Sequence, residues 1–193
     1  MEDYYQHNFN NYHQQTFHVD PSSFLSPLEK KLKPGAAVLD VGCGSGRDLL
    51  WFREHGYLVV GFEKSKGMVQ LAGKNAGCEV IEGDFKTYDF SRLSMDAILL
   101  VGALVHLPYE QFKPVFENIS TCLNDTGKIL VTLKEGSGLF EDEDGRVFYL
   151  WQDNDLREIF AELGYEILEF NRQVSLVRES DIWLGYVLEK KLH

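Results

Sequence analysis

The stretch AAVLDVGCGSGRDLLWF, residues 36–52, decides the fold. Val38, Leu39 and Val41 form the apolar run of a buried parallel strand, with Asp40 as its polar break. Gly42, Gly44 and Gly46 then force a tight turn at alternate positions. Helical spacing begins with Asp48, Leu49, Leu50 and Phe52. Strand, glycine loop and helix make the opening half of a nucleotide-binding βαβ unit. Glycine tolerates positive φ and lets a ligand approach the backbone. The following helix offers unpaired N–H groups and a positive dipole end.

Two standard phosphate loops fail on detail. A dinucleotide fingerprint starting at Gly42 wants Gly or Ala at position 47, and Arg47 stands there. The G-x-x-x-x-G-K-S/T string of a P-loop does not occur. What remains is D-x-G-x-G-x-G, with an acid two residues before the first glycine. This pattern resembles the first motif of class I S-adenosylmethionine-dependent methyltransferases. The resemblance implies that the loop, Gly42, Cys43, Gly44 and Gly46, wraps the amino-acid end of the cofactor, with Asp40 as an acid in the same loop. A glycine-rich turn in some other α/β protein is the alternative.

Working outward, residues 57–62 (YLVVGF) read as a second buried strand ending at Glu63. Glu63 lies 21 positions after Gly42, the place of an acid that takes ribose hydroxyls. A carboxylate accepts from both hydroxyls, which no neutral side chain does as well. The next residues, KSKGMVQLAG, resemble the family's D-x-S-x-x-M-x-x-x-A with Glu63, Ser65, Met68 and Ala72 in register, and Lys64 beside the acid. A surface Glu at a strand end is the alternative.

Residues 78–81 give a third strand, after which the resemblance implies Asp84 as acceptor from the adenine amino group and Phe85 alongside the ring. Asp84 equally suits a cap of the next turn. Residues 95–101 (MDAILLV) are a fourth, two-sided strand. It leads into GALVHLP, which is similar to the family's segment after that strand. There Val101 and Gly102 would border the cofactor and His106 would point toward the pocket, unless His106 is a local hydrogen-bonding residue.

Upstream, Tyr5, Phe9 and Tyr12 fall at i, i+4 and i+7, the face of a short amphipathic helix. The string YYQHNFNNYHQQT resembles the N-terminal segment of small bacterial methyltransferases, which implies a helical lid over residues 1–33 with Tyr12 and Tyr5 near the reacting methyl group. Phe9 stands where a small residue is usual. A staple to the core is the competing role. Asp20-Pro21-Ser22 reads as N-cap and first turn of a helix running to about Leu32.

Downstream, a helix starts at Pro108 and residues 128–133 are a fifth strand. The resemblance to a K-x-G-x-G segment puts Lys134 and Glu135 at the active-site rim. Asp144-Gly145 signals a hairpin, and the acidic run before it reads as a solvated turn. A helix over 153–163 and strands over 165–174 and 181–188 close the chain.

Composition narrows the class. The 193 residues suit one domain with a sizeable core, and 44% apolar with 25% charged content is ordinary for a soluble protein. No apolar run is long enough for a membrane span and the N-terminus is polar, so neither membrane attachment nor a signal peptide is expected. Three scattered cysteines offer no disulfide framework and no metal pair, which suits a cytoplasmic setting. A net charge of −11 argues against nucleic acid, whose binders carry basic stripes.

Alternating strands and helices predict an α/β fold, a mostly parallel sheet with helices on both faces. The resemblance supplies a Rossmann-like doubly wound sheet of seven strands with an antiparallel last strand, in a single domain over residues 1–193. It implies methyl transfer from S-adenosylmethionine to a nucleophile, with His106 as candidate base and Tyr12 as a positioning hydroxyl. So short a chain leaves little material for a cap, so a small-molecule acceptor fits better than a polymer. A cofactor-binding module without turnover shares every cofactor residue and stays open at this stage. An NAD-dependent oxidoreductase is disfavoured by Arg47. The acceptor atom and the oligomeric state are not legible.

Overall fold

The computed structural model describes residues 4–191, so the first three and last two positions of the expected domain, and the start of its lid segment, lie outside the described residues. A seven-stranded sheet carries the molecule: β1 (Ala37–Val41), β2 (Leu58–Glu63), β3 (Val80–Glu82), β4 (Met95–Val101), β5 (Leu123–Lys134), β8 (Tyr165–Val174) and β9 (Ile182–Lys190). Their spatial order is β3-β2-β1-β4-β5-β9-β8. Pairings are parallel from β3 to β5, and β9 runs antiparallel to both β5 and β8. The last strand is therefore antiparallel, as expected, but it inserts inside the sheet rather than closing its edge. The strand order reverses between β1 and β4, which opens a crevice at their carboxyl ends.

Side-chain alternation explains why both faces are covered. Leu39, Val41, Ile98 and Leu100 point to one face, where Phe112, Phe116 and Phe160 of α5 (Tyr109–Ser120) and α6 (Asp153–Glu162) are fully buried. Val38, Ala97 and Leu99 point to the other, under Leu25 and Leu28 of α2 (Ser22–Glu29) and Phe52 of α3 (Arg47–Glu54). α4 (Lys66–Ala76) packs beside α3, with Ala72 and Ala76 buried against Leu49. Emptying one of the buried phenylalanine positions to Ala would cost about 3–5 kcal/mol.

Some boundaries differ from expectation for local reasons. Asp20 is not the N-cap of α2. Its carboxylate accepts from the Ser22 N–H and hydroxyl, both at 2.9 Å, and Pro21 takes the cap position. α2 ends at Glu29, not Leu32. β5 starts at Leu123 because Asn124–Gly127 are absorbed into the strand, the register shifting between Met95 and Ala97 of its partner.

Two further pieces rest on the rim. α1 (Tyr4–Thr16) bends at Asn8 and buries no residue fully. The strands β6 (Leu139–Glu141) and β7 (Val147–Tyr149) form the hairpin expected at Asp144-Gly145. No helix among the described residues is long and apolar enough to cross a membrane.

Candidate active site

A cleft of about 220 Å³ opens at the carboxyl ends of β1, β4 and β5. Its floor is the glycine loop, where Gly42, Gly44 and Gly46 all adopt left-handed backbone, with φ of 71°, 53° and 85°. The loop is anchored by the Gly42 N–H, which donates to the Phe62 carbonyl at 2.7 Å. A Cβ on Gly42 would lie 2.9 Å from Ala103, so the loop is pressed against the segment after β4. Gly46 has a different task. A Cβ there would meet Ala72 of α4 at 2.8 Å, so Gly46 sets a helix contact, and it does not line the cleft.

Asp40 lines the cleft from the end of β1, 2% exposed, and its Oδ2 has no hydrogen-bond partner. Burial pushes its pKa well up, Asp48 adds to this, and Arg47 opposes it. Arg47 itself is committed to Asp48 through Nε–Oδ1 at 2.6 Å and Nη2–Oδ2 at 3.2 Å. An acid buried with a free oxygen beside a glycine loop is a receptor for a cationic group. Cys43 is buried in the same loop, and burial raises its thiol far above the range of a reactive thiolate.

The end of β2 turns its acid onto the loop. Glu63 accepts from the N–H groups of Gly44 (3.0 Å), Lys64 (2.8 Å) and Ser65 (2.9 Å). Burial raises its pKa in spite of these three donors. Lys64 Nζ is 2.9 Å from Asp84 Oδ2, and the Lys86 N–H caps Oδ1. Against the cost of burial, these donors hold the Asp84 pKa below the usual value. Phe85 packs its ring against the core. Val101 and Gly102 border the cleft, and the Gly102 N–H donates to Thr132 Oγ1 at 2.9 Å.

Helix α1 lies across this end of the sheet. Ser65 Oγ donates to the Tyr5 carbonyl at 3.2 Å, the Lys66 N–H donates to Gln6 Oε1, and Phe9 fills the space over Gly67. The Tyr5 and Tyr12 rings meet edge-on at 5.2 Å and both face the cleft. The Tyr5 hydroxyl is 2.9 Å from His106 Nε2, and His106 Nδ1 is 2.6 Å from the Val147 carbonyl. A carbonyl can only accept, so Nδ1 carries the proton and Nε2 accepts from Tyr5. Burial lowers the His106 pKa. Of the expected site residues, Tyr12, Asp40, Gly42, Cys43, Gly44, Val101 and Gly102 line one cleft. Gly46, Glu63, Lys64, Asp84, Phe85 and His106 are not among its lining residues, and His106 meets it through Tyr5.

Of the rest of the cleft, Lys134 at the rim was legible in the sequence, and Arg146, Asp181 and Trp183 were not. Lys134 ends β5, only 5% exposed, with Nζ 2.6 Å from Asp181 Oδ2 and 3.8 Å above the Phe148 ring. Arg146 and Asp142 form a buried pair at 2.7 Å within the hairpin. The run 141–144 is thus not merely a solvated turn, because Asp142 is spent folding it. Arg146 also stacks on Tyr4 of α1, 4.5 Å from the ring. Trp183, paired with Lys134 across β5 and β9, reaches the space above Gly102.

A parallel-to-mixed sheet with its ligand crevice at the switch point and a glycine loop below it defines a Rossmann-like nucleotide-cofactor protein. Residues 38–127 match the family model for a methyltransferase domain. The chain is 26% identical over 168 residues to an uncharacterized methyltransferase of Alkaliphilus oremlandii, covering 75% of this chain and 76% of that one. It is 28% identical over 149 residues to the magnesium-protoporphyrin O-methyltransferase of Synechocystis, covering 69% and 64%. A solved structure of Burkholderia thailandensis 1,6-didemethyltoxoflavin-N1-methyltransferase superimposes with TM-score 0.75 at 19% identity, over 97% of this chain and 84% of that one, and shares the fold. In sequence over residues 38–127 and in fold over nearly its whole length, the chain is similar to methyltransferases.

Proposed function

We propose that the protein methylates a small molecule, with the cofactor seated on the glycine loop and the acceptor in the cleft between Tyr12 and the hairpin. The observation that carries this reading is Asp40, which lines the cleft beside the glycine loop and whose buried Oδ2 has no hydrogen-bond partner. A cationic amino-acid end supplies the missing partner, and Gly42, Cys43 and Gly44 let it approach the backbone. Val101 and Gly102 form the neighbouring wall. Glu63 serves the ribose and Asp84, with Phe85 and Lys64, the adenine, each already standing at a strand end on the same side of the sheet.

S-adenosylmethionine, when bound, supplies an electrophilic methyl group on a sulfonium. The chain's own work is alignment and exclusion of water, done by α1 and the hairpin, which Tyr4 and Arg146 tie together. For an acceptor that must lose a proton, Tyr5 stands between the cleft and His106. Its oxygen takes the acceptor's proton as its own proton passes to His106 Nε2. Tyr12 positions the acceptor from the same helix. The names of the Synechocystis and Burkholderia relatives, a porphyrin and a toxoflavin methyltransferase, support a small-molecule acceptor. The test is turnover of S-adenosylmethionine to S-adenosylhomocysteine across small amines, phenols, thiols and acids. At least one class should give turnover above the solvent blank, and tight cofactor binding with none would defeat the reading.

A further inference from the structure

The cleft carries a basic cluster to which the cofactor reading above assigns no role. Three cations converge there from three separate segments: Lys134 at the end of β5, Arg146 in the hairpin and Arg178 in the turn between β8 and β9. Three carboxylates accompany them, Asp142, Asp144 and Asp181, and all are already engaged; Asp144 lies 3.5 Å from Arg146. Asp142 accepts from the Asp144 and Arg146 N–H groups and from the Arg146 guanidinium, and its side chain is 1% exposed. Asp181 is held by Lys134 Nζ at 2.6 Å.

Arg178 is the member left over. Among the described residues its ion-pair contact runs to the same Asp142 oxygen that Arg146 holds at 2.7 Å, and it is long, 3.5 Å. Its side chain is 39% exposed, against 10% for Arg146 and 7% for Lys134. The turn that presents it is closed on itself. Ser175 Oγ accepts the Val177 and Arg178 N–H groups, and the Asp181 N–H donates to the Arg178 carbonyl at 2.9 Å. The cleft that Arg178 shares with the glycine loop is also lined by aromatic side chains, Phe148, Trp183, Tyr5 and Tyr12.

We propose that Arg178, backed by Lys134 and Arg146, forms a subsite for a singly charged carboxylate on a planar acceptor, whose ring lies against the aromatic side chains that line the cleft. The inference rests on the small-molecule reading above. Of the three cations only Arg178 lacks a close carboxylate, so one carboxylate is the complement the cluster can still take. A guanidinium with unspent donors holds a carboxylate through two parallel hydrogen bonds. In a chain of net charge −11 a general attraction for anions is absent, so the discrimination has to be made by this cluster.

The experiment is calorimetric titration of the full chain, saturated with S-adenosylhomocysteine, with three probes: benzoate, benzamide and benzylamine. Benzoate should bind at least about tenfold tighter than either neutral or cationic isostere. Arg178→Gln should lower benzoate affinity by about tenfold or more, and Arg178→Lys should recover part of it. Affinity of both variants for S-adenosylhomocysteine itself should stay within about twofold of the wild type, which also reports that they fold. Equal affinity for benzoate and benzamide, preference for benzylamine, no benzoate binding at millimolar concentration, or indifference to Arg178→Gln would each overturn the subsite. Failure of the wild type to bind S-adenosylhomocysteine would instead overturn the reading beneath it, so the two failures are distinguishable.

Discussion

His106 sits at the junction of sequence expectation and observed geometry. Its position after β4 was legible, and the sequence pointed it at the pocket. The structure puts Tyr5 in between, because α1 folds back over the sheet from 101 residues away. A contact at that separation leaves no local trace in the chain. Burial holds the imidazole below its usual value of 6.5, so the native form is neutral. As pH falls, the unfolded chain takes up a proton first, and native stability drops from about pH 6.5 downward until the folded group also titrates. Thermal melts at pH 7.5 and pH 5.5 should therefore show a larger loss for the wild type than for His106→Gln. Equal losses in the two proteins would show that His106 does not carry this linkage. Glu63 was legible for the opposite reason, since its distance from Gly42 is fixed by one βαβ repeat. Its three backbone donors were not, because they depend on how the loop closes.

Among the elements, the glycine loop was the most legible feature and yet its glycines do different things. Gly35 and Gly46 both have positive φ, at 75° and 85°. Around Gly35 an added Cβ would meet nothing within 4 Å, whereas at Gly46 it would strike the backbone of α4 at 2.8 Å. Gly35→Ala should thus cost only the left-handed backbone penalty, about 1–2 kcal/mol. Gly46→Ala adds overpacking of α3 against α4, for a total of about 3 kcal/mol or more. Urea unfolding of the two variants measures the difference, and equal midpoints would mean that the α3–α4 contact adjusts freely. The same comparison explains Arg47. The close approach that a dinucleotide fold assigns to that position is made one residue earlier, by Gly46, so position 47 can carry a long side chain. The hairpin was legible from Asp144-Gly145, but the burial of Asp142 was not. A carboxylate in an acidic run looks solvated until its Arg partner, four residues on, is folded onto it.

At the scale of the molecule, the cleft has two halves of different origin. Its glycine-loop side is built within residues 38–127, the span matched by the methyltransferase-domain model, where each contact joins neighbouring repeats. Its other side is assembled from α1, the hairpin and the β8–β9 turn, brought together by register. The pairing of Lys134 with Trp183, and of Trp183 with Gln173, is what sets the basic cluster beside the glycine loop. Local patterns give the first half in detail, and of the second only the aromatic face of α1, the hairpin turn and Lys134. The halves should also differ in stability. α1 buries no residue fully and holds on through a few polar contacts, while the central strands are enclosed on both faces. Segments with few buried contacts open at low free-energy cost. Hydrogen exchange on the intact chain should find α1 amides exchanging far faster than those of β1 and β4. If α1 is the lid proposed over the cofactor, saturating S-adenosylhomocysteine should slow its exchange by about tenfold or more while leaving those strands nearly unchanged, since ligand binding adds to the cost of any opening that releases it. Exchange in α1 that ignores the ligand would make it a packing element instead, and would remove Tyr5 and Tyr12 from the acceptor's surroundings together.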